Sequence, residues 1–167
     1  MAKSFKISLV TIAFLTAISS SALAATATAN LDVSAVVVNN CSITTAALAF
    51  GTYDPIVANA AVDLDATGTV TVTCTQGATT TIGLGLGVNA SGTQRRMNDG
   101  GTGYLEYDLY QDAGRTTSWG DAAPDLLTPA PAPSSAPRPF TVYGRVSAGQ
   151  DVPAGSYNDT VVATVNF

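Results

Sequence analysis

A period of two runs through the apolar stretches of this sequence and leaves it little choice but β-structure. Gly68-Thr69-Val70-Thr71-Val72-Thr73-Cys74 alternates strictly, placing Val70, Val72 and Cys74 on one face. Ile82, Leu84 and Leu86 repeat the pattern with glycines between them, and Leu105, Tyr107 and Leu109 line a face opposite Glu106, Asp108 and Tyr110. Val161, Ala163, Val165 and Phe167 alternate with Val162, Thr164 and Asn166 at the C-terminal end. Successive side chains of a strand point to opposite faces, so a segment apolar at every second position is half-buried. No segment beyond residue 24 repeats every 3.6 residues. Turn residues divide the pattern: Tyr53-Asp54-Pro55 closes one strand, Asn98-Asp99-Gly100-Gly101 makes a hairpin turn, and Pro153-Ala154-Gly155 precedes the last strand. The expectation is an all-β sandwich of antiparallel sheets packed face to face.

The first residues indicate export. Lys3 and Lys6 precede an apolar run from Ile7 to Ile18, and Ala22-Leu23-Ala24 supplies small residues for cleavage. This is the layout of a signal peptide over residues 1–24, too short for a membrane anchor. Residues 25–167 then form one domain. The two cysteines, Cys41 and Cys74, pair by default in an oxidising compartment. Closing a loop of roughly thirty residues contributes about 3–4 kcal/mol in the chain-entropy model.

Beyond residue 24 there is no Lys and one Glu, Glu106, and the whole chain has no His. The arginines are outnumbered by acids, so neither nucleic acid nor an anionic membrane surface is an expected partner. Without His there is no Ser-His or Cys-His pair, and without Lys no lysine-activated serine. Glu106 and Asp108 are the nearest carboxylate pair, on the outward face of their strand. Asp63-Leu64-Asp65-Ala66-Thr67-Gly68 imitates the opening of a calcium loop, but Cys74 stands where the bidentate Glu belongs. No enzyme activity, metal, cofactor or small-molecule substrate is expected.

Two segments remain. Pro124 to Pro139 holds six of the eight prolines and reads as an exposed, stiff loop, an insertion at a hairpin end or a contact surface. Residues 25–34 alternate small or apolar with polar side chains, leading into the continuous apolar run Ala35 to Val38. The last strand runs to Phe167 with no strand after it to cover its edge. An uncovered apolar edge pairs with a strand from another chain, and Ala27, Ala29, Leu31 and Val33 are the side chains to fill its pockets. One donor and one groove per chain build a filament. The pattern alone equally allows residues 25–34 to pair within their own sandwich or to stay unordered.

The strings NNCSITTAALAFGTYDP (39–55), TGTVTVTCTQG (67–77), LEYDLYQDAGRTTSWGD (105–121) and FTVYGRVSAGQDVPAGSYNDTVVATVNF (140–167) resemble the spore coat protein U domain, shared with Csu-type pilins of archaic chaperone–usher fibres. Only the proline-rich loop departs, being longer than the family pattern. The resemblance implies an incomplete immunoglobulin-like β-sandwich, completed by a donor strand from another subunit. It implies a periplasmic chaperone, an outer-membrane usher and neighbouring subunits as partners, with export through the periplasm to the cell surface. Carried over by position, the donor lies within Ala25 to Val33 and the acceptor groove is lined partly by Val161, Ala163, Val165 and Phe167. Cys41 and Cys74 match the family disulfide. Arg115, Trp119 and Gly120 fall in an Asp-x-x-Arg-x-x-x-Trp-Gly motif in which Trp119 reads as core. The implied role is a pilus subunit for adhesion or biofilm formation. The alternatives are a spore-coat or surface matrix protein without an usher, and a tip-binding subunit, for which a second domain would be expected.

Overall fold

The computed structural model describes residues 24–167, so the signal peptide expected over residues 1–24 lies outside the described residues except for Ala24. The chain divides into two units, one ending at Ala35 and one spanning Val36–Phe167.

In the first unit, residues 24–35 carry no strand, although the alternation suggests one. Leu31 and Val33 are 86% and 87% exposed. The reason is general: alternation gives a segment an apolar face, but a strand forms only where a ladder partner satisfies its backbone.

The second unit is all β. Its strands are β1 (Cys41–Ala46), β2 (Leu64–Cys74), β3 (Thr81–Leu84), β4 (Arg95–Asn98), β5 (Tyr104–Tyr110), β6 (Arg138–Val146) and β7 (Ala163–Asn166). Five form one antiparallel sheet in the order β1-β2-β6-β5-β4, and β3 pairs with β7 in a separate ribbon. The inward positions of β2 are Val70, Val72 and Cys74, those of β5 are Leu105, Tyr107 and Leu109, and those of β6 include Val142 and Val146. Ile82 and Leu84 of the ribbon close the same core. Each such aliphatic side chain contributes about 1.5–3 kcal/mol by leaving water. Asp63 to Gly68, the imitation calcium loop, runs into the first half of β2, where Asp65 pairs with Arg145 at 2.8 Å.

Local chemistry explains several joins. Cys41 stands opposite Cys74 in the β1–β2 ladder, and the two are disulfide-bonded. The β4–β5 hairpin turns at Gly100 with φ of 86°, a region that suits glycine, and Asn98 Oδ1 accepts its N–H. Trp119, fully buried, donates from Nε1 to Ile82 O. Asp112 holds the turn before it by accepting the Thr116 and Thr117 amides. Arg115, with φ of 55°, reaches from that turn to Gly144 O and Asp65.

One expectation needs correction. Tyr53 closes no strand: β1 stops at Ala46, and Asp54 instead caps a turn by accepting the Ile56 and Val57 amides. The proline-rich segment carries no named strand before Arg138 and is exposed over most of its length, but it is fastened to the sandwich at two points. Leu127 exchanges both backbone hydrogen bonds with Ile82, and Ala132, 2% exposed, bonds Gly77 and Ala78. Its prolines prevent it from being a regular strand, yet its few amides suffice to fasten it to the edge of β3.

Candidate functional site

Antiparallel pairing fixes which way each backbone group of β7 points. Gly85 N–H donates to Val162 O, so Val162 turns its polar groups toward β3. Alternate residues turn theirs the other way, so Val161, Ala163 and Val165 direct amide and carbonyl to the side opposite β3. Among the described residues, β7 forms a ladder with β3 alone. The inward side chains of Val161, Ala163 and Val165 are half-buried against the core.

Beside that edge lies a cleft of about 430 Å³. One wall is Thr45 to Leu48 with Phe50, and the other runs from Tyr157 through Ala163. The floor is the core itself, chiefly Val70, Leu84, Met97, Leu109 and Val142. Two inward-facing glycines shape it. A Cβ on Gly68 would stand 2.9 Å from Leu48 Cβ, and one on Gly144 would stand 2.8 Å from Leu48 Cδ1 and 2.9 Å from Phe50 Cζ. Leu48 and Phe50 therefore occupy the notches these glycines leave, and Phe50 meets the Tyr107 ring edge-on at 6.0 Å.

One end of the cleft is polar. Tyr107 donates its hydroxyl to Asp159 Oδ2 at 2.7 Å, and Asp159 Oδ1 accepts from the Asn89 backbone and side chain. Burial, reinforced by the hydrogen bond to Asp159, pushes the Tyr107 hydroxyl well above the ordinary tyrosine range. Arg95, 6% exposed, clamps β4 to the ribbon by donating to Leu84 O, Gly85 O and Trp119 O. Desolvation lowers its pKa, but three carbonyl acceptors hold the cation. The arrangement can receive an extended chain, apolar along most of its length.

Of the four groove positions named from sequence, Val161 and Ala163 line the cleft. Val165 lies farther along β7, half-buried, and Phe167 falls outside the strand with 56% exposure. Ala27, Ala29, Leu31 and Val33 are all exposed. The sequence reading overlooked Leu48, Phe50, Asp159 and Arg95. A signal for the first two exists: glycine at an inward position of a strand marks the close approach of another segment. Gly68 and Gly144 both fit it. Asp159 and Arg95 carry no such signal, since polar residues in short segments ordinarily face water.

The family model for the Spore Coat Protein U domain matches residues 27–164. Protein U of Myxococcus xanthus is 46% identical over 161 residues, covering 89% of each chain. Among solved structures, the fold is similar to a chain of the CsuC–CsuE chaperone–tip adhesion subunit pre-assembly complex from the archaic chaperone–usher Csu pili of Acinetobacter baumannii. The TM-score is 0.56 at 21% identity, over 78% of this chain and 40% of that chain. This chain thus spans well under half the length of that one, and the likeness is one of immunoglobulin-like fold. The match across both sheets, from before β1 into β7, places the chain in the Spore Coat Protein U domain family.

Proposed function

We propose that this protein is a structural subunit of a surface pilus, exported by a chaperone–usher pathway and polymerised when residues 25–34 of one copy enter the cleft of the next. The observation that carries the reading is the apolar cleft beside an edge of β7 that, among the described residues, has no ladder partner. An incoming strand would bond to the backbone of Val161, Ala163 and Val165 and set alternate side chains over the core. The exposed Leu31 and Val33 have the required spacing, and burying them would contribute about 1.5–3 kcal/mol each. β1 approaches β7 without pairing to it, whereas an inserted strand needs about 4.8 Å to each neighbour. Entry along all of β7 therefore widens that seam. The related Csu complex joins a chaperone to a pilus subunit, which supports a periplasmic chaperone holding this cleft before assembly. Adhesion and biofilm formation are the roles such a fibre serves.

The test is an unheated detergent gel of material sheared from the surface of cells that express the protein. A ladder that collapses to one band on boiling without reductant is expected. A monomer alone, from cells confirmed to export the protein, overturns polymerisation. A second reading, a coat or matrix protein, is favoured by the relative named Protein U and by the family description. Surface assembly that persists after the usher is removed would select it.

A further inference from the structure

The β3–β7 ribbon has two edges, and the proline-rich segment lies against one of them. β3 turns the Ile82 and Leu84 amides away from β7, and neither is left open: Ile82 N–H donates to Leu127 O, and Leu84 N–H to Gly120 O. Just before β3, Gly77 N–H donates to Ala132 O while Ala132 N–H donates to Ala78 O. Gly83 lets this cover approach, since a Cβ there would stand 3.0 Å from Asp121 Cα and 3.1 Å from Leu126 Cδ2.

The covering segment exposes an edge of its own, and its composition matters there. Residues 129–133 read Pro-Ala-Pro-Ala-Pro. Ala132 is buried with both backbone groups turned to Gly77 and Ala78, while Pro131 and Pro133 on either side are exposed. Proline has no amide to donate, so a chain laid against residues 129–133 from outside would find only the Ala130 N–H. A polar loop would have covered β3 equally well. Alternating proline covers it with a surface that offers carbonyl acceptors but almost no donors, so another strand cannot complete a regular ladder on it.

We propose that residues 124–139 are an edge guard: they confine strand addition, by a second copy of this chain, to the β7 side, so that growth runs in one line and not sideways. Growth in one line rests on the polymerisation reading, but the guard itself does not need it. Without the guard each subunit would offer two edges of the same ribbon, and lateral pairing between copies would follow.

The test replaces Pro129, Pro131 and Pro133 by Thr, alone and together, in the full exported chain and in a chain lacking residues 25–33. The deletion removes the proposed donor strand, so any association that remains must use another edge. Expected is folded protein, by circular dichroism, whose sedimenting mass rises by about twofold or more. In the full chain, electron microscopy should show filaments bundled side by side. Adding Ala130→Lys, a charge on the same edge, should return the mass to the starting value. Folded variants that stay monomeric in the deleted chain overturn the guard. So does association that Ala130→Lys fails to reverse, because it would then come from unfolding. If the triple variant does not fold, the single substitutions are scored by the same two outcomes. Failure of the unaltered full chain to polymerise would instead count against the pilus reading and leave the deleted-chain comparison standing.

Discussion

The hydrogen bond from Tyr107 to Asp159 ties the floor of the cleft to its far wall through two side chains. Its consequence is a dependence on alkaline pH. Below the ordinary tyrosine pKa of about 10 the hydroxyl is protonated in both folded and unfolded chains, so its stabilisation is fully present. Above that value the unfolded chain ionises while burial and Asp159 keep the folded hydroxyl protonated, and stability falls as pH rises toward the folded value. Tyr110, raised mainly by burial, acts in the same direction. The urea midpoint should therefore decline between roughly pH 9.5 and 11, and Tyr107→Phe should flatten that decline. An unchanged slope in the variant would remove Tyr107 from the account. Trp119 adds a residue whose role its chemistry announces: the largest side chain of the protein, fully buried, with its single donor satisfied by Ile82 O.

Strands β2 and β6 carry a notch each, and the segment after β1 fills them. Alanine at the two notches should not behave alike. At Gly68 the new methyl meets Leu48 Cβ at 2.9 Å and the Ala46 carbonyl at 3.2 Å, both anchored to backbone. At Gly144 it meets the tips of Leu48 and Phe50, which can turn aside. Gly68→Ala should cost about 1–3 kcal/mol in urea unfolding and Gly144→Ala less, despite identical chemistry. Equal or reversed costs would show that the walls of the cleft yield as easily as its side chains. The Cys41–Cys74 bridge staples β1 to β2 at the end of their ladder. Replacing both cysteines by Ser should lower stability by about 3–4 kcal/mol. The boiling-sensitive ladder should keep its spacing, since the proposed joint between subunits is non-covalent. A ladder lost only on reduction would mean that disulfides link the chains.

At the scale of the whole molecule, the cleft and the segment at residues 25–34 make a testable pair. Leu31→Asp or Val33→Asp would carry a charge into an apolar groove, whereas Thr28→Asp or Asn30→Asp would leave it facing water. The first two should reduce the yield of polymer by about tenfold or more, corresponding to 1.4 kcal/mol or more per joint, and the second two should change it little. Similar losses for all four would place the donor in another register. The asymmetry of the ribbon belongs to this scale as well: one edge is bonded to Gly120, Leu127 and Ala132, while the other carries no ladder among the described residues.

What the sequence determined is local. Alternation is a property of neighbours in the chain, so it assigned Val70, Val72, Leu105, Tyr107 and Leu109 to the inside before any strand had a partner. An expected signal peptide and a single pair of cysteines pointed to a bridge for similarly direct reasons. What only the tertiary structure decided is which segments become neighbours. Nothing in Pro-Ala-Pro-Ala-Pro says that Ala132 will face Gly77 and Ala78, and nothing in residues 25–34 says that a good strand pattern will form no strand. Leu48, Phe50, Arg95 and Asp159 gain their places through contacts with residues far along the chain, and no short window of sequence contains both partners of such a contact.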